Sequence, residues 1–327
     1  MSDPRGSPDY RVTAPEMPAL RPLEYDDDEI TDVNQAVRDS EVAPPVDENL
    51  RAVLVVLRGL DVGRMFALEK IETIIGRDRS ADIRYDEKGL SRRHARILRD
   101  GGRFFLEDAG SRNGTFVDGE RVPGHGRVEL RHGARIVLSS GIVLRFDLVD
   151  EIEERVAKQL FEASTRDALT GIYNRRYFDE RLAAEVSFAH RHEGKLGLLM
   201  FDVDHFKRVN DGHGHLAGDA VLAAIAKRIS GLIRAEDVLA RYGGEELVLL
   251  ARGIPKGGVE TLADRVRAAV EETTVRFEEK TLRVTVSVGV AALDECDAHA
   301  TGDLLVALAD ERLYRAKHGG RNRVCAE

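Results

Sequence analysis

Leu196-Gly197-Leu198-Leu199-Met200-Phe201 is an apolar run of buried-strand length, and the strand it predicts ends in Asp202-Val203-Asp204. Such a strand must bury its body and present its two acids at a sheet edge, where a hard cation can be held by oxygen ligands. A second stretch, Arg241-Tyr242-Gly243-Gly244-Glu245-Glu246-Leu247-Val248-Leu249-Leu250, launches another apolar strand from a Gly-Gly turn with two adjacent acids at the bend. Glycines there let backbone approach a phosphate or a base. Either stretch alone is ordinary surface chemistry. Carboxylates meeting across neighbouring strands suit Mg²⁺-assisted phosphoryl or nucleotidyl transfer.

The chain of 327 residues is long enough for two domains and a tail. Its formal charge of −9 argues against non-specific nucleic-acid binding, and the charge is unevenly placed. Residues 1–50 hold 13 acidic and 4 basic residues and seven of the nine prolines. They read as a disordered tail, with a short helix conceivable within Glu29–Arg38. No apolar run approaches the length of about 20 residues that spans a bilayer, and the acidic start does not resemble a signal peptide. Cys296 and Cys325 make neither a disulfide framework nor a metal spacing. A soluble cytoplasmic protein is expected.

Residues 51–149 are written as short β-rich runs punctuated by Asp100-Gly101-Gly102, Asn113-Gly114 and Asp118-Gly119, the pattern of an antiparallel sandwich or barrel. Residues 150–166 switch to helical period, with Ile152, Val156, Leu160 and Ala163 on one stripe, which predicts a connector or a two-stranded coiled coil. From 167 to 327 strands near 196–203, 238–241, 246–251 and 282–292 alternate with helices near 174–193, 214–233, 258–273 and 302–317. This is an α/β domain with a mixed sheet.

In the β-rich part, Gly76-Arg77, Ser91-Arg92-Arg93-His94 and Asp108-Ala109-Gly110-Ser111-Arg112-Asn113-Gly114-Thr115 fall at strand ends, where loops gather on one edge. Arg and Ser together can hold a phosphate, and Asn can hold peptide backbone. The segment closely resembles the forkhead-associated (FHA) domain. The resemblance implies an 11-strand sandwich that recognises phosphothreonine. Arg77 and Ser91 would bind the phosphate, with Arg92 as a further contact. Asn113 would hold the peptide main chain, Arg112 would lie near the +3 side chain, and Gly76 and His94 would be architectural.

Asp167-Ala168-Leu169-Thr170-Gly171-Ile172-Tyr173-Asn174-Arg175-Arg176 joins the two acidic stretches, and the set resembles the GGDEF family of diguanylate cyclases from about Thr165 to Arg323. The resemblance implies Mg²⁺ (or Mn²⁺) held on the GTP triphosphate by Asp202, Glu245 and the Val203 carbonyl. Glu246 would be a second metal ligand or the base for a 3′-hydroxyl. Asn210 and Asp219 would read guanine, Phe206 and Lys207 would line the phosphate side, and Lys317 and Arg321 would grip the β- and γ-phosphates. Leu247 stands where Phe is usual in the signature, a packing adjustment. His205, His213 and His215 fit no closed tetrahedral zinc pattern.

Arg234 and Asp237, three apart, would form a site for inhibition by the product, with Arg265 or Arg267 as a further arginine. Two GTP molecules would be joined by facing subunits of a homodimer, giving cyclic di-GMP and two pyrophosphates. A Ser/Thr kinase acting on the tail, at Thr31 or Thr13, or on another protein, would supply the phosphothreonine. The runner-up reading is a catalytically silent scaffold that senses cyclic di-GMP. A cyclase making a single-nucleotide product is disfavoured.

Overall fold

The computed structural model describes residues 50–327, apart from 60, 86, 88, 125 and 298. Thr13, Thr31 and the helix expected within 29–38 lie outside the described residues.

The first eleven strands build two packed antiparallel-rich sheets, ordered β2-β1-β11-β10-β7-β8 and β4-β3-β5-β6-β9. The strands are β1 (Arg51–Arg58), β2 (Met65–Ala67), β3 (Glu72–Gly76), β4 (Ile83–Arg84), β5 (Ala95–Asp100), β6 (Arg103–Asp108), β7 (Phe116–Val117), β8 (Glu120–Arg121), β9 (Arg127–Glu129), β10 (Arg135–Val137) and β11 (Val143–Val149). Alternate residues of the two sheets, among them Leu54, Ile75, Leu106, Ile136 and Phe146, close the core between them. The turn chemistry acts as written. Gly101-Gly102 and Asp118-Gly119, all with positive φ, close two-residue hairpins between paired Asp100 and Arg103 and between paired Val117 and Glu120. The two strands that the sequence did not announce, β4 and β8, are only two residues long and carry no period.

Helix α1 (Glu151–Thr165) follows directly. Asp150 caps it, accepting from the Glu153 N–H at 2.7 Å while its own N–H donates to Glu153 at 3.2 Å. None of its residues is buried, and Ile152, Val156 and Leu160 are 62%, 46% and 66% exposed.

The α/β domain centres on β12 (Leu196–Val203), every residue of which is buried. It lies between antiparallel neighbours in a five-stranded mixed sheet ordered β13-β14-β12-β17-β18, with β13 (Val238–Gly243), β14 (Glu246–Arg252), β17 (Val286–Ala292) and a parallel edge strand β18 (Val324–Cys325). Leu199, Phe201, Leu247 and Leu249 face α4 (His215–Ser230) and α5 (Lys256–Glu271). Leu198, Met200, Val248 and Leu250 face α2 (Arg175–His192) and α6 (Gly302–His318). Both faces are covered, which is why β12 is apolar as far as Phe201. The expected strand over 282–292 divides into β16 (Lys280–Leu282), paired with β15 (Val275–Phe277), and β17. One helix was not foreseen: α3 (Phe206–His213), which starts from a left-handed His205 and ends at Gly214. Its eight residues give too short a period to read.

Candidate active site

The two acidic stretches meet. Asp202 lies opposite Glu246 in the antiparallel pairing of β12 with β14, and opposite Ser287 of β17 on its other side. Directly opposed residues share a sheet face, so Asp202 and Glu246 rise on the α2 and α6 side. There the Lys317 ammonium, from the last turn of α6, stands 2.7 Å from the Asp202 carboxylate. Asp202 is 7% exposed. Burial pushes its carboxyl above the usual range, and the bond and charge of Lys317 pull it part of the way back. Burial also raises Glu245, and the charge of Asp202 adds to the rise. Lys317 thus pairs with Asp202 beside Glu245, although among the described residues no group of three or more acid, His or Cys side chains is arranged to hold a metal.

The bend between β13 and β14 is braced from behind. The Arg241 guanidinium donates to the Gly244 carbonyl at 3.0 and 2.8 Å and to the Asp167 carboxylate at 3.1 Å. Burial opposes the ionisation of Asp167. The Thr170 hydroxyl and N–H, at 2.6 and 2.9 Å, and Arg241 nonetheless hold its carboxyl below the usual range. The segment that begins at Asp167 is thus structural support for the Glu245 turn.

Beyond β12, α3 and α4 form a second lobe of the site. Asn210 projects its side-chain oxygen into the interior with no hydrogen-bond partner among the described residues. A Cβ on Gly218 would stand 2.0 Å from that oxygen and 3.0 Å from the Phe206 ring, so only glycine leaves room there. Half-buried Asp219 follows on the same helix. A buried amide oxygen without a partner is costly unless a ligand donates to it. Lys207 and Arg321 are exposed and Lys317 is half-buried.

Asp237 closes the turn after α4. Its carboxylate accepts from the Arg234 N–H at 2.9 Å and from the Arg252 N–H at 3.4 Å, while burial raises its pKa and these bonds resist the rise. The Arg234 side chain is exposed. Arg265 reaches the same turn, donating to the Leu232 carbonyl at 2.8 Å. Arg267 turns elsewhere, to Asp264, Glu271 and Asn322. Of the two arginines left open by the sequence, only Arg265 stands beside Arg234 and Asp237.

In the sandwich, Arg77, Ser91, Arg92 and Arg112 line one cavity of about 880 Å³. The Ser91 hydroxyl accepts from the Arg112 N–H at 3.1 Å, and Arg77, Arg92 and Arg112 are exposed. Asn113 donates to the Gly89 carbonyl at 2.8 Å and borders the same loop. His94 is fully buried beneath it. Burial lowers its pKa, so the ring is neutral, with Nδ1 accepting from the Ser91 N–H at 3.1 Å and Nε2 donating to the Gly114 carbonyl at 3.3 Å. A Cβ on Gly76 would meet the Arg92 carbonyl at 2.1 Å, so this glycine sets the approach of two loops. Gly76 and His94 thus sit where an architectural role requires.

Sequence reasoning gave no role to Arg241 or Asp167, although the stretches that contain them had been singled out, nor to Gly218. Their partners are fixed by strand pairing and helix packing, which no local pattern displays.

Comparison with known proteins agrees with this geometry. Residues 164–323 match the family model described as diguanylate cyclase, GGDEF domain, and residues 73–139 match that of the FHA domain. The chain is 42% identical over 158 residues to the diguanylate cyclase DgcP of Pseudomonas aeruginosa, covering 48% of this chain and 23% of that protein. It is 36% identical over 169 residues to diguanylate cyclase A of Treponema denticola, covering 51% and 45%. The chain therefore spans less than half the length of either relative. A crystal structure of the coiled coil and GGDEF domain of DgcB from Caulobacter crescentus, in complex with c-di-GMP, superposes with a TM-score of 0.51 at 30% identity, covering 54% of this chain and 93% of that one. The chain belongs to the GGDEF family and carries an FHA domain ahead of its GGDEF domain.

Proposed function

We propose that the chain is a diguanylate cyclase that condenses two GTP into cyclic di-GMP and two pyrophosphates. The observation that carries this reading is the meeting of Asp202, Glu245 and Glu246 beside Lys317, all acids intact. The names of the relatives support it. Asn210 and Asp219 hold the guanine edge, the first with an oxygen that has no partner among the described residues. Lys317 and Arg321 hold the β- and γ-phosphates, and Phe206 and Lys207 line the phosphate side. Asp202, Glu245 and the Val203 carbonyl would hold Mg²⁺ (or Mn²⁺), which when bound supplies charge neutralisation on the triphosphate. Glu246 is either a further ligand or the group that takes the proton from the 3′-hydroxyl.

Each domain binds one GTP, so two subunits face each other. The 3′-oxygen of one nucleotide attacks the α-phosphorus of the other, pyrophosphate leaves, and the second half repeats the exchange. Turnover then depends on how often two subunits meet, an effective-concentration effect that a coiled coil through α1 would raise. Arg234 and Asp237, with Arg265 alongside, form the site for inhibition by the product. Arg77, Ser91, Arg92, Arg112 and Asn113 form the site for a phosphothreonine peptide made by a Ser/Thr kinase, from the tail at Thr31 or Thr13 or from another protein. Among the described residues no helix is long and apolar enough to cross a membrane, and GTP with a kinase implies the cytoplasm.

The test is incubation of the purified chain, stripped of bound product, with GTP and Mg²⁺ while pyrophosphate and cyclic di-GMP are followed. Wild-type product with none from Glu246→Ala is expected. No product, even from Arg234→Ala or after kinase treatment, would leave a silent cyclic di-GMP sensor in its place.

A further inference from the structure

The second acid at the end of β12 has no part in the mechanism above. Asp204 is 4% exposed, and both of its oxygens are occupied. Oδ1 accepts from the Ser287 hydroxyl at 2.7 Å. Oδ2 accepts from the Thr285 hydroxyl at 2.7 Å and from the backbone N–H of Asn322 at 3.0 Å. A carboxylate so saturated has little left to offer a cation.

Its third partner identifies what it does. Arg321 and Asn322 are consecutive non-glycine residues with φ of 62° and 44°, in a left-handed conformation that costs energy and persists only where the surroundings impose it. Four contacts impose it here. The Arg321 N–H donates to the Ala316 carbonyl at 3.1 Å, closing α6. The Asn322 N–H is held by Asp204, and the Asn322 side chain accepts from Arg267 at 2.9 Å and donates to Glu271 at 2.8 Å. The result is a turn, tied to Asp204, that carries Arg321 just beyond the end of α6.

We propose that Asp204 is a positioning residue for the triphosphate. It fastens the turn that carries Arg321 to the strand that carries Asp202, so that the anion-gripping arginine and the cation-holding carboxylate keep a fixed separation. The proposal rests on the reading of this site as one for GTP. Asp204 touches neither nucleotide nor metal and acts only through Arg321.

Binding of the non-cleavable α,β-methylene analogue of GTP and of GMP to the full chain, by titration calorimetry in Mg²⁺, tests this. Wild type prefers the triphosphate. Asp204→Asn weakens the analogue by about tenfold, the loss of a hydrogen bond to a charged group, and leaves GMP as it was. The Mg²⁺ concentration that half-saturates analogue binding stays put. In an Arg321→Ala background Asp204→Asn has no further effect, because the two act in series. Equal loss for analogue and GMP overturns the proposal in favour of a purely structural acid. A raised Mg²⁺ requirement overturns it in favour of a metal ligand. Should Asp204→Asn fail to fold, Thr285→Val removes one of the three bonds and leaves the carboxylate in place, with the same split expected on a smaller scale. A wild type indifferent to the terminal phosphates sinks the GTP reading and this proposal together.

Discussion

Glu245 is an acid held where its ionised form is disfavoured, by burial first and by Asp202 second. Its folded-state pKa lies above the unfolded one. As pH rises from below both values, the unfolded chain ionises first and stability falls until the folded group ionises. Glu245→Gln escapes that loss. In a chelator the variant is expected to melt above wild type at neutral pH and level with it at pH below the ordinary carboxylate range. Added Mg²⁺ reverses the order, because the cation stabilises only the acid. Differential scanning fluorimetry across pH decides it, and a wild type that melts higher in chelator at neutral pH removes the strain attributed to Glu245. The acids themselves could be picked out in the sequence, because an apolar strand that ends in acids carries them to the end of the strand. Asp204 was not separable from Asp202 by pattern. Two residues apart in a strand, both are placed on one face, and only the partners on β17 and the C-terminal turn tell them apart.

At the scale of elements, α1 is capped at its start and buried nowhere, and its apolar side chains Ile152, Val156 and Leu160 recur every four residues on a solvent-facing stripe. The helical period was plain in the sequence, whereas the exposure of the whole stripe needed the packing. Such a stripe is the pattern through which two copies of a helix can pair. Replacing Val156 and Leu160 with Asp is expected to shift the chain towards monomer in sedimentation velocity and to cut turnover most at low protein concentration. The melting temperature changes little, because no core contact is lost. Unchanged sedimentation would remove α1 from the dimer. The brace from Asp167 through Arg241 to Gly244 belongs to the same scale: a helix entry and a hairpin held by one guanidinium.

At the scale of the molecule, the sandwich rests on the cyclase domain at a polar seam. Asp61, in the hairpin loop between β1 and β2, accepts from the Tyr177 hydroxyl of α2 and pairs with Arg181 at 3.7 Å and with Arg64 at 3.0 Å. Further along, a cavity of about 610 Å³ separates Tyr85, Glu87 and Gly89 from Glu185, Phe188 and His192 of α2. Tyr85 and His192 each keep a buried polar atom without a partner among the described residues. A seam with few bonds and unsatisfied groups is held weakly. Asp61→Asn combined with Tyr177→Phe is expected to loosen it by about 1–3 kcal/mol. The sandwich would then separate, giving a larger radius of gyration in small-angle scattering and faster proteolysis between 149 and 175. Identical scattering would show that the seam does not depend on Asp61.

The sequence by itself determined the two domains, their fold classes, the strand bodies and the residue types at both strand ends. Those follow from hydrophobic period and turn chemistry, which act over a few neighbouring residues. Tertiary structure alone decided which acid pairs with Lys317, that Arg241 supports Gly244, and that Asp61 meets α2. Those are choices of hydrogen-bond and ion-pair partner between residues as much as 116 positions apart. Many donors and acceptors along a chain could satisfy one another, and only the packed backbone selects which of them come within reach.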